Sequence, residues 1–238
     1  MNSTHSFHVA VIPDGNRRWA KQHGLRGYKD LYDQGINRTL EVTQSAFDSG
    51  VTHLSLWGSS HANIADRDSD FFQSIDRLYR DNINKFADHA LIEQHDVRIQ
   101  AIGEWRDSLT PATIDVINSA IDKTAHRKGK VLTLLLDYSG SRERAAAVIE
   151  ASKRPRPESL DEATRLLRDV AWTHSLPEVD LVIRTGSWKD PHNSAGFLSL
   201  LTDESQYAFP KVLWPDFSGE LISEIIEDFK NRERRKGK

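Results

Sequence analysis

Short apolar runs rich in β-branched residues recur along the chain at residues 8–13, 53–57, 97–102, 131–136, 179–184 and 212–214. Between them lie segments of helical period, among them Ile36, Leu40, Thr43 and Phe47, and a longer series of Phe71, Ile75, Leu78, Tyr79, Ile83 and Phe86. Strand-like runs alternating with amphipathic helices predict an α/β fold, a parallel six-stranded sheet flanked by helices. Plain core packing is the first reading of the apolar stripes, and lining a ligand cavity the second.

The residues that follow the predicted strands are polar in an unusual way. The first strand runs into Asp14-Gly15-Asn16-Arg17-Arg18, the second into Gly58-Ser59-Ser60-His61, the fourth into Asp137-Tyr138-Ser139-Gly140-Ser141-Arg142, and the fifth into Arg184-Thr185-Gly186-Ser187. Open parallel sheets bind ligands beyond the carboxyl ends of their strands. Four such loops at one edge predict a single polar site.

Composition narrows what that site can be. At 238 residues and 38% hydrophobic, the chain fills one sizeable core, so one domain over residues 1–238 is expected. A net charge of -3, from 35 acidic and 32 basic residues, gives no global field for nucleic acid. Without cysteine the chain has no disulfide, thiolate metal site or cysteine nucleophile, so its chemistry rests on oxygen, nitrogen and bound ions. The start lacks a basic segment followed by an apolar run, and no later stretch has about 18 uninterrupted apolar residues. A cytoplasmic protein is expected, with peripheral membrane contact left open. No internal repeat is visible, and Arg154-Pro155-Arg156-Pro157 and the basic tail at 232–238 read as surface features.

Asp14, a glycine and two arginines at a helix start suit a metal–diphosphate complex. A carboxylate fits a hard cation that keeps waters and bridges substrate phosphates. Free helix-start amides and the forks of Arg17 and Arg18 fit phosphate oxygens. A capping aspartate with solvated arginines is the plain alternative. Arg184 offers a second cationic strand end, its alternative being an arginine paired with a structural carboxylate. A Ser-His triad has no support, since the adjacency of Ser59, Ser60 and His61 does not supply its geometry.

At this point the chain resembles a known family. The segment His8-Val9-Ala10-Val11-Ile12-Pro13-Asp14-Gly15-Asn16-Arg17-Arg18-Trp19-Ala20-Lys21 is similar to the first signature of the cis-prenyltransferases, the undecaprenyl diphosphate synthase-like enzymes, H-V-A-x-I-M-D-G-N-x-R-W-A. Asp180-Leu181-Val182-Ile183-Arg184-Thr185-Gly186 resembles their D-L-V-I-R-T-G signature, and the likeness continues through Val212-Leu213-Trp214-Pro215-Asp216-Phe217 and Asn231-Arg232-Glu233-Arg234-Arg235. The resemblance implies their fold and a magnesium-dependent enzyme that works as a homodimer or a heterodimer, of which a homodimer is expected here. It joins an allylic diphosphate to isopentenyl diphosphate and makes a Z double bond.

Position by position, the resemblance implies that Asp14 holds magnesium at the allylic diphosphate, with Asn16 beside the reacting carbon. Gly15, Arg17, Arg18, Trp19 and Arg26 would bind that substrate. Asn63 falls on the asparagine of the family's S-S-E-N-W-x-R segment and would be catalytic, and Arg67 is the nearest match to its arginine. Arg184 would hold the incoming diphosphate, while Arg235 and Gly237 match an R-x-G motif that reaches a diphosphate across the dimer.

The departures fall mostly where isopentenyl diphosphate would bind. Tyr32 stands where the family has a histidine. The segment after Arg184-Thr185-Gly186 is longer and lacks the usual glutamate and second arginine, with Lys189, His192 and Ser194 as replacement phosphate donors. Gln206 stands at the expected second metal ligand, near Asp203 and Glu204. Two further functions therefore stay open: head-to-middle coupling of two allylic diphosphates, as in lavandulyl-type relatives, and a non-catalytic partner subunit. In this family the product grows into an apolar tunnel, whose expected wall is Phe71, Phe72, Ile75, Leu78 and Tyr79 facing Leu134 and Leu136. Phe71 and Phe72 point about 100° apart on a helix, so one of them faces the tunnel and limits a short to medium product.

Overall fold

The computed structural model describes residues 6–25, 28–65 and 69–232, without the side chains of 28–33, 63, 65 and 69. Its strands are β1 (His8–Ile12), β2 (His53–Trp57), β3 (Val97–Ile102), β4 (Lys130–Leu135), β5 (Leu181–Arg184) and β6 (Gln206–Ala208). They form one sheet in the order β3-β4-β2-β1-β5-β6, and every neighbouring pair is parallel. The helices are α1 (Asn16–Gln22), α2 (Tyr28–Asp48), α3 (His61–Ala65), α4 (Ser69–Ala87), α5 (Ala90–Gln94), α6 (Trp105–Ser108), α7 (Pro111–Thr124), α8 (Gly140–Ala151), α9 (Leu160–Val170) and α10 (Gly219–Asn231).

All five residues of β1 are buried, as expected of a central strand covered on both faces. Their alternation sends Val9 and Val11 into the larger core, with Phe47, Leu54, Leu56, Ile75 and Phe229. Ala10 and Ile12 enter the smaller core on the other face, with Tyr138, Val182 and Phe197. On α4, Phe71, Ile75, Tyr79, Ile83 and Phe86 form a buried stripe at helical spacing. The buried Asp76 on the same helix accepts hydrogen bonds from Thr110 N (2.9 Å) and Thr110 Oγ1 (2.9 Å) at the start of α7. That carboxylate caps α7 from outside and fixes α4 against it.

The chain leaves β1 towards β2 and leaves β5 towards β6, in opposite directions across the sheet. Their carboxyl ends therefore flank a crevice at the topological switch point, where Asp14 and Arg184 stand.

The sixth strand differs from the expected one. It is Gln206–Ala208, paired with β5, whereas Trp214–Asp216 is a 3₁₀ turn. Pro210 and Pro215 bracket residues 212–214 and remove ladder donors. The backbone of that segment serves the site instead: Gly186 N donates to Val212 O (2.8 Å), and Trp214 N donates to Asp14 O (3.1 Å).

Candidate active site

β1 stops at Ile12, whose carbonyl accepts from Asp14 N (2.9 Å), and Gly15 then turns with φ +106°. A side chain there would be strained and would meet Leu213 Cδ2 at 2.7 Å, so glycine lets the turn close against the 212–214 segment. Asn16 opens α1, and its Nδ2 donates to Pro13 O (2.9 Å). Trp19 donates through Nε1 to Asp216 Oδ1 (2.8 Å), which ties α1 to the 3₁₀ turn.

Asp14 sits between two guanidinium groups. Arg18 Nη2 donates to Oδ1 (3.2 Å), and Arg184 Nη2 donates to Oδ2 (3.0 Å). Arg18 Nη1 also donates to Gly186 O (2.6 Å), and Arg184 Nη1 to His192 O (3.0 Å). The Asp14 carbonyl accepts from Thr185 Oγ1 (2.7 Å). Arg184 is 8% exposed, and its buried Nε has no partner among the described residues. The Asp14 side chain is 36% exposed and that of Arg18 52%, so one face of the cluster stays open to an incoming anion or cation.

Behind this cluster opens a cavity of about 590 Å³. Asp14, Gly15, Asn16, Arg17, Arg18, Arg184, Ser194, Ser59 and Ser60 line its polar end. Leu56, Phe71, Ile75, Leu78, Tyr79, Ile83, Phe86, Leu134 and Leu136 line the rest, with Asn82 and Thr39 as polar interruptions. Its size lies within the roughly 300–1,000 Å³ of small-molecule sites.

The structure thus brings Asp14, Gly15, Asn16, Arg17, Arg18, Arg184 and Ser194 to one mouth. Trp19 lies in a small separate core with Ala20 and Leu213, outside the cavity lining. Lys189 and His192 are exposed and also outside the lining, although the His192 carbonyl holds Arg184. Gln206 is paired with Leu181, three residues before Arg184, and its Oε1 accepts from Arg232 Nη1 (3.1 Å). Within one chain it therefore lies at the start of β6, back from the edge that carries Asp14. Arg26, Arg67, Arg235, Gly237 and the side chains of Tyr32 and Asn63 lie outside the described residues. Phe72 packs on the core away from the cavity, whereas Phe71 lines it.

Ile36 and Thr39 of α2 and Ile83 and Phe86 of α4 also belong to the cavity wall, although core packing is the first reading of the stripes that hold Ile36, Ile83 and Phe86, and Thr39 is in neither stripe. The helical spacing of a cavity-lining stripe is the same as that of a core stripe. The loop after β4 also behaves differently from expectation. Only its first residue, Leu136, lines the cavity; Asp137 and Tyr138 instead brace the loop after β2, with Asp137 N donating to Ser59 Oγ (2.9 Å) and Tyr138 N to Ser59 O (3.0 Å).

The donor set suits magnesium. Among the described residues no cluster of three or more His, Cys, Asp or Glu side chains forms a closed metal cage. Asp14, a partly exposed carboxylate beside two arginines, would suit a cation that takes most of its ligands from water and a substrate's phosphates.

Comparison with known proteins shows the family and the fold. A family model described as "Putative undecaprenyl diphosphate synthase" matches residues 12–237. The chain is 33% identical over 233 residues to a ditrans,polycis-undecaprenyl-diphosphate synthase ((2E,6E)-farnesyl-diphosphate specific) of Micrococcus luteus, covering 97% of this chain and 90% of that one. It is 34% identical over 236 residues to an isoprenyl transferase of Listeria innocua, covering 97% and 89%. Among solved structures, lavandulyl diphosphate synthase from Lavandula x intermedia, in complex with dimethylallyl diphosphate, has the same fold (TM-score 0.88, 24% identity, 97% and 98% covered). So does a probable undecaprenyl diphosphate synthase from Campylobacter jejuni (TM-score 0.75, 24% identity, the whole of both chains covered). The chain belongs to the cis-prenyltransferase family, the prenyl transferases of the undecaprenyl diphosphate synthase type.

Proposed function

We propose that the protein condenses an allylic isoprenoid diphosphate with isopentenyl diphosphate to give a Z-prenyl diphosphate of short to medium length. The observation that carries this reading is one cavity with a carboxylate–arginine mouth and an apolar body. Arg17, Arg18 and Arg184 supply the donors for diphosphate oxygens, and bidentate guanidinium contacts to phosphate are charge-assisted and strong. Asp14 would hold magnesium there, and the ion supplies neutralisation of the charge developing on the departing diphosphate. Asn16 stands at the same mouth, beside the position of the reacting carbon. Leu56, Phe71, Ile75 and Leu78 keep water from the prenyl chain. At about 0.8 kcal/mol per buried methylene, each five-carbon unit in the cavity gains on the order of 4 kcal/mol.

A second reading is irregular, head-to-middle coupling of two allylic diphosphates. The rebuilt segment 187–196 favours it, because Lys189 and His192 stand outside the cavity where a second diphosphate was expected to find donors. The lavandulyl enzyme of the same fold is described with dimethylallyl diphosphate bound. One experiment separates the two: the purified protein with magnesium, first with dimethylallyl diphosphate alone, then with isopentenyl diphosphate added. Product only in the second incubation supports regular condensation; coupled product in the first rejects it. No product in either, or with farnesyl diphosphate as the allylic partner, rejects both.

The working form is read as a single catalytic domain assembled as a homodimer, which light scattering of the purified protein checks. Its cytoplasmic placement rests on the sequence reading. Among the described residues no helix is long and apolar enough to cross a membrane.

A further inference from the structure

The charged groups of the site described above stand on the β1–β5 side of the cavity mouth, whose β2 side carries Ser59 and Ser60. On the other side, four residues from four segments meet in a cluster with no assigned role. His61 begins α3; its Nδ1 lies 3.0 Å from Asp137 Oδ1 and 3.7 Å from Glu104 Oε2. Glu104, from the turn after β3, is gripped by the Arg142 fork of α8, with Nη2 donating to Oε1 (2.6 Å) and Nε to Oε2. Asp137 is 1% exposed and has left-handed backbone (φ +49°), an uncommon conformation that its surroundings must impose. A buried carboxylate needs a partner, and His61 Nδ1 supplies one. The Arg142 fork also holds Glu104 below the usual carboxylate range.

His61 itself is not part of the cavity wall, but its two predecessors Ser59 and Ser60 are. The loop that carries them is bound to the β4–α8 loop by a bridge between Ser60 and Tyr138, by His61 N donating to Tyr138 O (3.4 Å), and by the Asp137 bond to Ser59 Oγ. His61–Asp137 is the one side-chain pair among these bonds that reaches beyond the loop into α3, the helix that carries Asn63.

We propose that His61 is a positioning residue: held by Asp137, and backed by Glu104 and Arg142, it fixes the first turn of α3 and the Ser59–Ser60 wall at the mouth of the prenyl cavity. The proposal deepens the prenyl-transfer reading and rests on it for its kinetic consequence. Diphosphate affinity comes from Asp14, Arg18 and Arg184 on the opposite side of the crevice, so loosening α3 should leave binding alone and slow the chemical step. A misplacement on the order of 1 Å costs up to about 10²-fold in rate.

The test compares His61→Ala, His61→Gln, Asp137→Asn and the double variant His61→Ala/Asp137→Asn. Two readouts are used: steady-state kinetics with the allylic diphosphate that the wild type accepts, and amide exchange of residues 58–65. Expected are a fall in kcat of at least roughly tenfold in His61→Ala with the allylic KM within about twofold, and faster exchange confined to 58–65. His61→Gln, which keeps a donor for Asp137, should recover most of the rate. The double variant should be no worse than either single one, because residues acting as a pair are not additive. Unchanged kcat and exchange in His61→Ala, or additive losses in the double variant, overturn the proposal. If the wild type makes no prenyl product, prenyl transfer is wrong, and the exchange comparison alone decides whether His61 holds α3.

Discussion

Asp14 carries most of the chemistry assigned to single residues, and its surroundings say what its removal would do. It is partly exposed and accepts from two arginines, one of which, Arg184, is nearly buried. Asp14→Ala should leave the fold intact at a cost of about 1–3 kcal/mol, for the guanidinium left without its carboxylate. Turnover should fall by about 10²-fold or more, because a charge-stabilising group at the leaving group is lost. Circular dichroism and product formation at saturating magnesium check both; wild-type rates would remove Asp14 from the mechanism. Gly186 tests the same cluster from the backbone. It has φ +70°, and an added Cβ would lie 2.5 Å from Arg18 Nη2 and 2.8 Å from the Asp14 carbonyl oxygen. The arginine head can swing away but the backbone oxygen cannot. Gly186→Ala should therefore cost roughly 1–3 kcal/mol in stability, from strain at a left-handed position. It should also raise KM for the allylic diphosphate by displacing Arg18, and an unchanged KM would show that the arginine tolerates the shift.

At the scale of elements, α4 supplies much of the apolar cavity wall, and on the proposed function it would limit how far a product can grow. The sequence shows that Phe71 and Phe72 diverge around the helix, but a stripe that lines a cavity and one that fills a core have the same period. Only the packing tells them apart: Phe71 lines the cavity with Ile75 and Tyr79, while Phe72 packs on the core. Phe71→Ala should lengthen the product and Phe72→Ala should not. Truncating a buried phenyl costs about 3–5 kcal/mol, part of which a longer prenyl chain would recover by filling the space. Chromatography of the products decides the matter, and equal lengths in wild type and Phe71→Ala would place the stop deeper, towards Ile83 and Phe86. The same limit on local reading explains the sixth strand. Val212-Leu213-Trp214 is as apolar and extended as a strand, yet its carbonyl and amide groups bond to Gly186 and Asp14. No local pattern shows where a backbone donor finds its acceptor. Asp14, Asn16, Arg18 and Arg184 were legible because they sit at the end of a strand or in the turn and first helical turn that follow one, where topology leaves little choice; Lys189 and His192, inside a ten-residue loop, were not.

For the whole molecule the relevant fact is how the central strands are tied together below the site. His8 at the start of β1 is fully buried, with Nδ1 2.9 Å from the Pro177 carbonyl and Nε2 2.8 Å from Ser55 Oγ on β2. A carbonyl only accepts, so Nδ1 carries the proton and Nε2 accepts from the serine: the neutral ring joins β1, β2 and the segment leading to β5. Burial is the main reason that its pKa falls from 6.5 to about 4, outweighing the bond to Pro177. The folded state therefore binds the proton less readily than the unfolded chain does. Between pH 6.5 and about 4 the unfolded state holds more protons, so stability rises with pH in that window. The contribution is complete above pH 6.5 and is lost as pH falls, by about 3 kcal/mol at pH 4, from a shift of about 2.5 units at 1.36 kcal/mol each. His53, whose ring lies 6.0 Å away, is lowered in the same direction by burial and leaves a smaller slope of its own. Urea unfolding across pH 4–7.5 should show the loss in the wild type and a flatter profile in His8→Gln, which keeps polar atoms at the site but does not titrate. Parallel profiles for the two proteins would mean that the acid sensitivity arises elsewhere and that His8 does not set it.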